Sequence, residues 1–317
     1  MASAIVGYVF GILTKLGLAP PIPTPFENRL SALDPSLSTL DNEIYNNQSF
    51  DWSKSGLALL NPVRVGYFMD KLHRHVSSSL VQGGEEKQVV RILDLGCGSG
   101  LAIEAIHTAL VSFAHKDQVT ITNEGIKVGN VYYQLLGIDM SSRSIDLARQ
   151  NAHRNSLSID YVVGDIYSLP FDYSSIDAII CSDVLEHLFD LPSAFSSISR
   201  ILKPGGFFSF DTINRTPASY YLTIWILQDW LKAMQGDAHD HRLYVTPEEV
   251  HKVMQGAGLK PGPKKDLVGM RPGIRFPPLG LYRLMTGQGF INSFLAEFRL
   301  TTDLGISYLH WCQKSSA

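Results

Sequence analysis

The sequence predicts an α/β fold, a doubly wound and mostly parallel sheet with helices on both faces. Three observations predict it. From about position 90 onward, apolar runs suited to buried parallel strands alternate with helical stretches. One such run ends in Gly96-Cys97-Gly98-Ser99-Gly100, a glycine-rich loop that opens a helix. The chain has 317 residues, 45% apolar and 18% charged, which supplies core-forming side chains for a compact, enzyme-sized fold.

Taken in order, Ser3 to Leu18 is an apolar helix with Ile5, Val9, Ile12 and Leu16 on one stripe, stopped by Pro20, Pro21, Pro23 and Pro25. It falls short of the roughly 20 apolar residues that span a bilayer. It also lacks the basic start of a secretion signal and the repeated arginines of a mitochondrial presequence. The segment therefore reads as an interfacial helix or as one packed on the body of the protein. Residues 21–48, rich in Pro, Ser and Asn, form an irregular arm. This divides the chain into a helix and arm over 1–50 and a main domain over 51–317. Within the domain lie a core (90–212), a lid and insertion region (213–300) and a final strand (301–312).

The core strands are Val89 to Leu95, Tyr132 to Ile138, Asp160 to Val163, Asp177 to Cys181 and Gly206 to Asp211. Helices fall near Leu101 to Ala114, Ser142 to Asn155 and Pro192 to Leu202, and Lys203-Pro204-Gly205-Gly206 makes the last turn. Ligands of such sheets bind beyond the carboxyl ends of the strands, where strand order reverses.

Composition excludes several classes. A net charge of −3, from 27 basic and 30 acidic residues, gives no positive field for nucleic acid. Cys97, Cys181 and Cys312 are far apart and lack metal-ligand spacing, which argues against a disulfide framework or structural zinc site and for a reducing, intracellular compartment, cytoplasmic or mitochondrial.

The glycine loop lets a ligand approach the backbone, and the helix it opens directs free N–H groups there. A dinucleotide fingerprint would place a third glycine where Leu101 stands. Its ribose-binding acid would follow about 20 residues on, whereas Asp139 is 139 − 96 = 43 residues after Gly96. NAD is thus the weaker reading. Read alone, Asp94 suits tying down the loop through backbone N–H groups, Asp139 a helix cap and Asp165 a turn former.

Leu93-Asp94-Leu95-Gly96-Cys97-Gly98-Ser99-Gly100 resembles the first motif of class I S-adenosylmethionine-dependent methyltransferases. Gly137-Ile138-Asp139-Met140-Ser141, Val162-Val163-Gly164-Asp165-Ile166 and Lys203-Pro204-Gly205-Gly206 match later motifs in order. The resemblance implies a Rossmann-like, seven-stranded methyltransferase fold. It also implies a cofactor site of Asp94, Gly96, Gly98, Gly100, Asp139, Met140, Asp165, Ile166 and Ser182, with Asp139 on the ribose and Asp165 on the adenine.

A narrower likeness joins Asn61-Pro62-Val63-Arg64, Ser182-Asp183-Val184-Leu185-Glu186-His187, Thr212-Ile213-Asn214-Arg215-Thr216 and Ala238-His239-Asp240. These segments resemble the UbiG-type O-methyltransferases of ubiquinone biosynthesis. That likeness implies methylation of a hydroxyl on a polyprenylated catechol, a divalent metal (Mg²⁺ or Zn²⁺) on Asp183, Glu186 and His187, and contact with a membrane and with biosynthetic partners.

His187, assisted by Glu186, is the candidate base, because an imidazole titrates near working pH. The spacing Asp183-x-x-Glu186 is also that of a helix capping box. The apolar segment Tyr220 to Met234 reads as a lid or a buried helix. His239, Asp240 and His241 read as the wall of an acceptor pocket or as a solvated turn. Two insertions, His107 to Tyr132 and Arg271 to Arg299, leave room for a different acceptor through oxygen, sulfur or nitrogen. A non-catalytic cofactor-binding assembly protein is the remaining alternative.

Overall fold

In the computed structural model, the described residues are 2–47, 50–52, 55–83, 88–113, 119–122, 125–232, 238–274, 277–286 and 295–315. Five parallel strands form the centre of one sheet: β1 (Gln88–Leu95), β4 (Val131–Asp139), β5 (Asp160–Val163), β6 (Ile176–Ser182) and β7 (Leu202–Ile213). β1 lies between β4 and β6, so the chain winds outward through β4 and β5 and then returns to the other side of β1. The switch point of the doubly wound fold is therefore the carboxyl end of β1.

Period-two patterning splits the core between the two faces. Leu93 and Leu95 of β1 join Ile179, Phe208 and Phe210 under α5 (Leu191–Ile201) and α7 (Pro247–Gly256). Val90 and Ile92 join Leu135, Ala178 and Phe207 under α2 (Asn61–Gly83), α3 (Leu101–Phe113) and α4 (Ser142–Arg154). Local chemistry sets the helix starts. The hydroxyl of Ser141 accepts from the Ser144 N–H, and Asp190 accepts from the Ser193 N–H. Thr246 and Glu249 close a reciprocal capping box on α7.

The sheet departs from the expected seven, mostly parallel strands: among the described residues it has eleven, of which the central five are parallel. β2 (Val119–Thr122) and β3 (Gly125–Val128) form an antiparallel hairpin from the first insertion, and β3 pairs with the first half of β4. The second half of β4 pairs with β5. The short β5 leaves half of that strand open, and the hairpin satisfies its backbone groups.

At the other edge, β8 (Leu259–Pro261), β9 (Val268–Ile274) and β10 (Leu295–Thr301) accompany β11 (Ser307–Lys314), which runs antiparallel to β7. The final strand thus begins at Ser307 rather than 301, because the Asp303 carboxylate accepts from the Gly305 N–H and holds a turn there. The Lys203 to Gly206 turn is a bulge at the start of β7, with Gly205 at φ +78°. α8 (Pro277–Met285) lies within the second insertion, while residues 114–118, 123–124 and 287–294 of the two insertions lie outside the described residues.

α1 (Ala2–Lys15) packs with the side opposite its predicted stripe. Phe10 stacks on Tyr221 at 4.7 Å, and the Thr14 and Tyr221 hydroxyls are 2.6 Å apart. Ile5, Val9, Ile12 and Leu16 face out, at 60, 45, 42 and 65% exposure. The partner of α1 is a single turn, α6 (Pro217–Ser219), continuing into a π-type helix over Tyr220–Trp230. That helix is largely buried beneath α1 through Tyr220, Tyr221 and Ile224, with Trp230 exposed at its end. Met234, the last residue of the lid segment, lies outside the described residues. Among the described residues no helix is long and apolar enough to cross a membrane.

Candidate active site

At the switch point, Gly96, Gly98 and Gly100 have φ of +75°, +52° and +90°. All three take the left-handed backbone that side chains disfavour, and each is closely covered by another residue. A Cβ would lie 2.4 Å from Val184 at Gly96, from the Trp52 ring at Gly98 and from the Tyr161 hydroxyl at Gly100. The loop is tied to the end of β4, since the Gly96 and Cys97 N–H groups donate to the Ile138 carbonyl at 2.8 and 3.0 Å.

The predicted cofactor residues gather along the same edge because parallel strands end together. Asp94 is buried and accepts from the Ile103 N–H at 3.1 Å. It therefore fastens the first turn of α3 in this structure, and burial pushes its carboxyl up to about 7. Asp139 is not a helix cap, a part taken by Ser141. Its two oxygens accept from the N–H groups of Ser141 and Gly98, both at 2.8 Å. Met140, next in sequence, is exposed. Asp165, at the end of β5, is exposed and accepts from the Tyr167 N–H, with Ile166 half-buried beside it. Ser182 ends β6 and is half-buried.

Beyond β6 the chain turns sharply at Asp183, whose φ is +51°. The carboxylate of Asp183 meets the Arg64 guanidinium at 2.5 Å, and Arg64 also meets Asp211 at 2.9 Å. Arg64 is 4% exposed and is the cation of a site rich in buried carboxyls. It lies in the Asn61 to Arg64 segment that the sequence singled out without giving the arginine a role. The capping-box reading of Asp183 and Glu186 does not hold. The helical turn Leu185–His187 starts after Val184 without any side-chain cap.

Glu186 is fully buried, and one carboxylate oxygen accepts from the Thr212 hydroxyl at 2.7 Å. Its other oxygen, His187 Nδ1 and His239 Nδ1 are buried without hydrogen-bond partners. One candidate ligand atom from each of Glu186, His187 and His239 falls within 4.8 Å of the others. This group differs from the set predicted from sequence. Asp183 stands outside it because its carboxylate is turned to Arg64, and His239 completes it. The rings of His187 and His239 are 5.2 Å apart.

Burial pushes His187 down to about 3, helped by the neighbouring His239, and His239 down to about 4. Burial and the nearby Asp183 raise the Glu186 carboxyl. Both imidazoles are thus neutral near pH 7, with lone pairs available. The 239–241 segment is no solvated turn: Asp240 and His241 are buried, with Asp240 paired to Arg242 and His241 Nε2 lying 3.1 Å from the Thr216 carbonyl.

Residues 120–210 match the methyltransferase domain family. The chain is 30% identical over 219 residues to the ubiquinone biosynthesis O-methyltransferase of Methylocella silvestris, covering 66% of this chain and 76% of that protein. It is 28% identical over 264 residues to the enzyme of that name from Coxiella burnetii, covering 81% and 88%. Similar solved structures include geranyl diphosphate C-methyltransferase from Streptomyces coelicolor, at 17% identity and TM-score 0.48, covering 89% of this chain and 91% of that one. The YcgJ protein of Bacillus subtilis is another, at 16% identity and TM-score 0.47, covering 77% and 100%.

Proposed function

The chain belongs to the ubiquinone biosynthesis O-methyltransferase family of S-adenosylmethionine-dependent methyltransferases, and from that premise we propose that it methylates a hydroxyl of an apolar small molecule, a polyprenylated catechol. The observation that carries the reading is the group of buried atoms without hydrogen-bond partners, one each on Glu186, His187 and His239, at the same sheet edge as the glycine loop. Uncompensated buried polar atoms are costly, so such a set suits a bound cation or an acceptor hydroxyl.

The edge fits the methyl donor. Buried Asp94 and Asp211 lie near Arg64, and buried Glu186 and half-buried Asp139 stand along the same edge, an environment suited to a ligand with two positive groups and two hydroxyl donors. S-Adenosylmethionine supplies there a methyl group on a sulfonium, transferred by in-line displacement. In this reading its amino-acid end lies against the loop of Gly96, Gly98 and Gly100, taking the place of the Trp52 ring that covers Gly98 in this structure, and Asp94 faces the ammonium group. Asp139 receives the ribose hydroxyls, Asp165 and Ile166 border the adenine, and Met140 and Ser182 flank it. The oxygen and two nitrogens of Glu186, His187 and His239 fit Zn²⁺ better than Mg²⁺, which prefers oxygen ligands. When bound, either ion would lower the pKa of the acceptor hydroxyl. Without one, His187 is a weak base, because burial holds it down to about 3 rather than near working pH, and it takes the hydroxyl proton only where the bound acceptor and donor raise it.

Labelled methyl transfer to a prenylated catechol tests the assignment. Activity is expected to vanish with a chelator and to return with Zn²⁺ or Mg²⁺. Activity indifferent to the chelator would remove the metal and leave His187 as base, and failure of every catechol would remove the acceptor class.

Peripheral membrane contact belongs to the same proposal and is supported by the outward face of α1, where Ile5, Tyr8, Val9, Ile12 and Leu16 are exposed and no charged residue precedes Lys15. Ile5→Glu with Ile12→Glu is expected to release the protein from liposomes in co-sedimentation. Equal sedimentation of the variant and the parent would argue against that face.

A further inference from the structure

The N-terminal arm is built into the site rather than leading up to it. A helical turn over Asn42–Asn46, started by Asp41 accepting from the Glu43 N–H, carries Tyr45 across the carboxyl edge of the sheet. The Ser141 hydroxyl oxygen, two residues after Asp139, lies 3.1 Å from the Tyr45 carbonyl oxygen and 2.8 Å from Asn46 Oδ1. Further back, Arg29 donates to the Leu188 carbonyl at 3.0 Å, and the Ser38 hydroxyl donates to Asp240 at 2.5 Å. The arm is therefore pinned to the loops after β4 and β6 and to the segment holding His239.

Those anchors place two stacked rings over the crevice. Tyr45 and Trp52 lie 5.7 Å apart at an interplanar angle of 19°, with Phe50 packed edge-on against both. The Trp52 ring edge rests on Gly98, where a Cβ would come within 2.4 Å of it. Tyr45 meets the His187 ring edge-on at 6.1 Å. The pair thus bridges the glycine loop and the Glu186 to His187 turn, the two ends between which a methyl group would travel.

We propose that Tyr45 and Trp52 are donor-positioning residues: lifted off Gly98 by the bound methyl donor, the Trp52 ring forms with Tyr45 a roof that prefers its cationic sulfonium form to the neutral thioether product. The inference rests on the reading that this loop takes S-adenosylmethionine. A desolvated cation is attracted to an aromatic ring through the ring quadrupole more strongly than a neutral thioether sulfur is. Buried carboxyls around the same crevice act in the same direction. Such a roof would also exclude water from the reacting centre and weaken the hold on product.

Isothermal titration of the full chain with S-adenosylmethionine and S-adenosylhomocysteine tests this. Trp52→Ala and Tyr45→Ala are each expected to weaken S-adenosylmethionine roughly 3- to 30-fold, with a smaller effect on S-adenosylhomocysteine. Trp52→Phe and Tyr45→Phe are expected to keep most of the preference. Trp52→Leu retains apolar bulk without a π face and serves if the alanine variant does not fold; it too is expected to lose the preference. Equal weakening of both ligands, or no change in either, would overturn the roof while leaving the enzyme assignment intact. A parent protein that binds neither ligand would overturn the roof and the donor reading together.

Discussion

Replacing His187 with alanine is expected to lower methyl transfer by roughly 10²- to 10⁴-fold, the usual worth of a positioned acid–base group, while affinity for S-adenosylhomocysteine stays unchanged. His187 sits on the turn after β6, whereas the glycine loop follows β1 and Asp139 ends β4. The donor cradle can therefore survive the loss of the imidazole. Two measurements separate its roles. If His187 is a ligand, the variant should also retain less divalent metal, measured as ions per chain. If it is the base alone, metal content should match the parent and the rate should still collapse. Turnover equal to the parent in a working assay would exclude both roles.

Arg64→Ala should have the largest effect on stability, about 3–5 kcal/mol, because removing one partner of a buried ion pair leaves the other charged and unpaired. Arg64 holds two carboxylates, those of Asp183 and Asp211, and lies close enough to Asp94 to favour its ionised form. Thermal melting should fall by on the order of ten degrees. Burial already raises the Asp211 carboxyl and Arg64 counteracts it, so removing Arg64 raises that group further. A carboxyl whose folded pKa lies above its unfolded value destabilises increasingly as pH climbs past the unfolded value. The deficit of Arg64→Ala should therefore be larger at pH 8 than at pH 5. Adding Asp183→Asn and Asp211→Asn should restore part of the loss. A variant that melts with the parent at both pH values would show that Arg64 does not compensate these carboxylates.

How much of this was legible in the sequence depends on how local each cause is. The β1 run, the left-handed glycines and the helix starting at Leu101 arise from contiguous residues, and the five core strands appear within a residue or two of their predicted positions, apart from the longer start of β7. Asp94, Asp139 and Asp165 could be placed because parallel strands must end at one edge. The outward side of α1 could not. A short apolar helix has two serviceable faces, and tertiary contacts such as those of Phe10 and Thr14 with Tyr221 decide which is buried.

The candidate ligand set shows the same division. Adjacent Asp183, Glu186 and His187 were visible as a motif, but a single residue in left-handed backbone and one arginine 119 positions earlier redirect Asp183. His239 arrives from beyond the π-type helix, which no local spacing could announce. The extra strands also escaped, since β2, β3 and β8 are three or four residues long and become strands only by pairing, β2 with β3, β3 with β4 and β8 with β11. Sequence alone determined the doubly wound core, the glycine cradle and the acids at its rim, because period-two burial and left-handed glycine are properties of neighbouring residues. Tertiary structure alone decided which carboxylates are neutralised, which imidazoles meet Glu186 and which aromatic rings cover the loop. Those outcomes depend on burial and charge contributed by segments far apart in the chain.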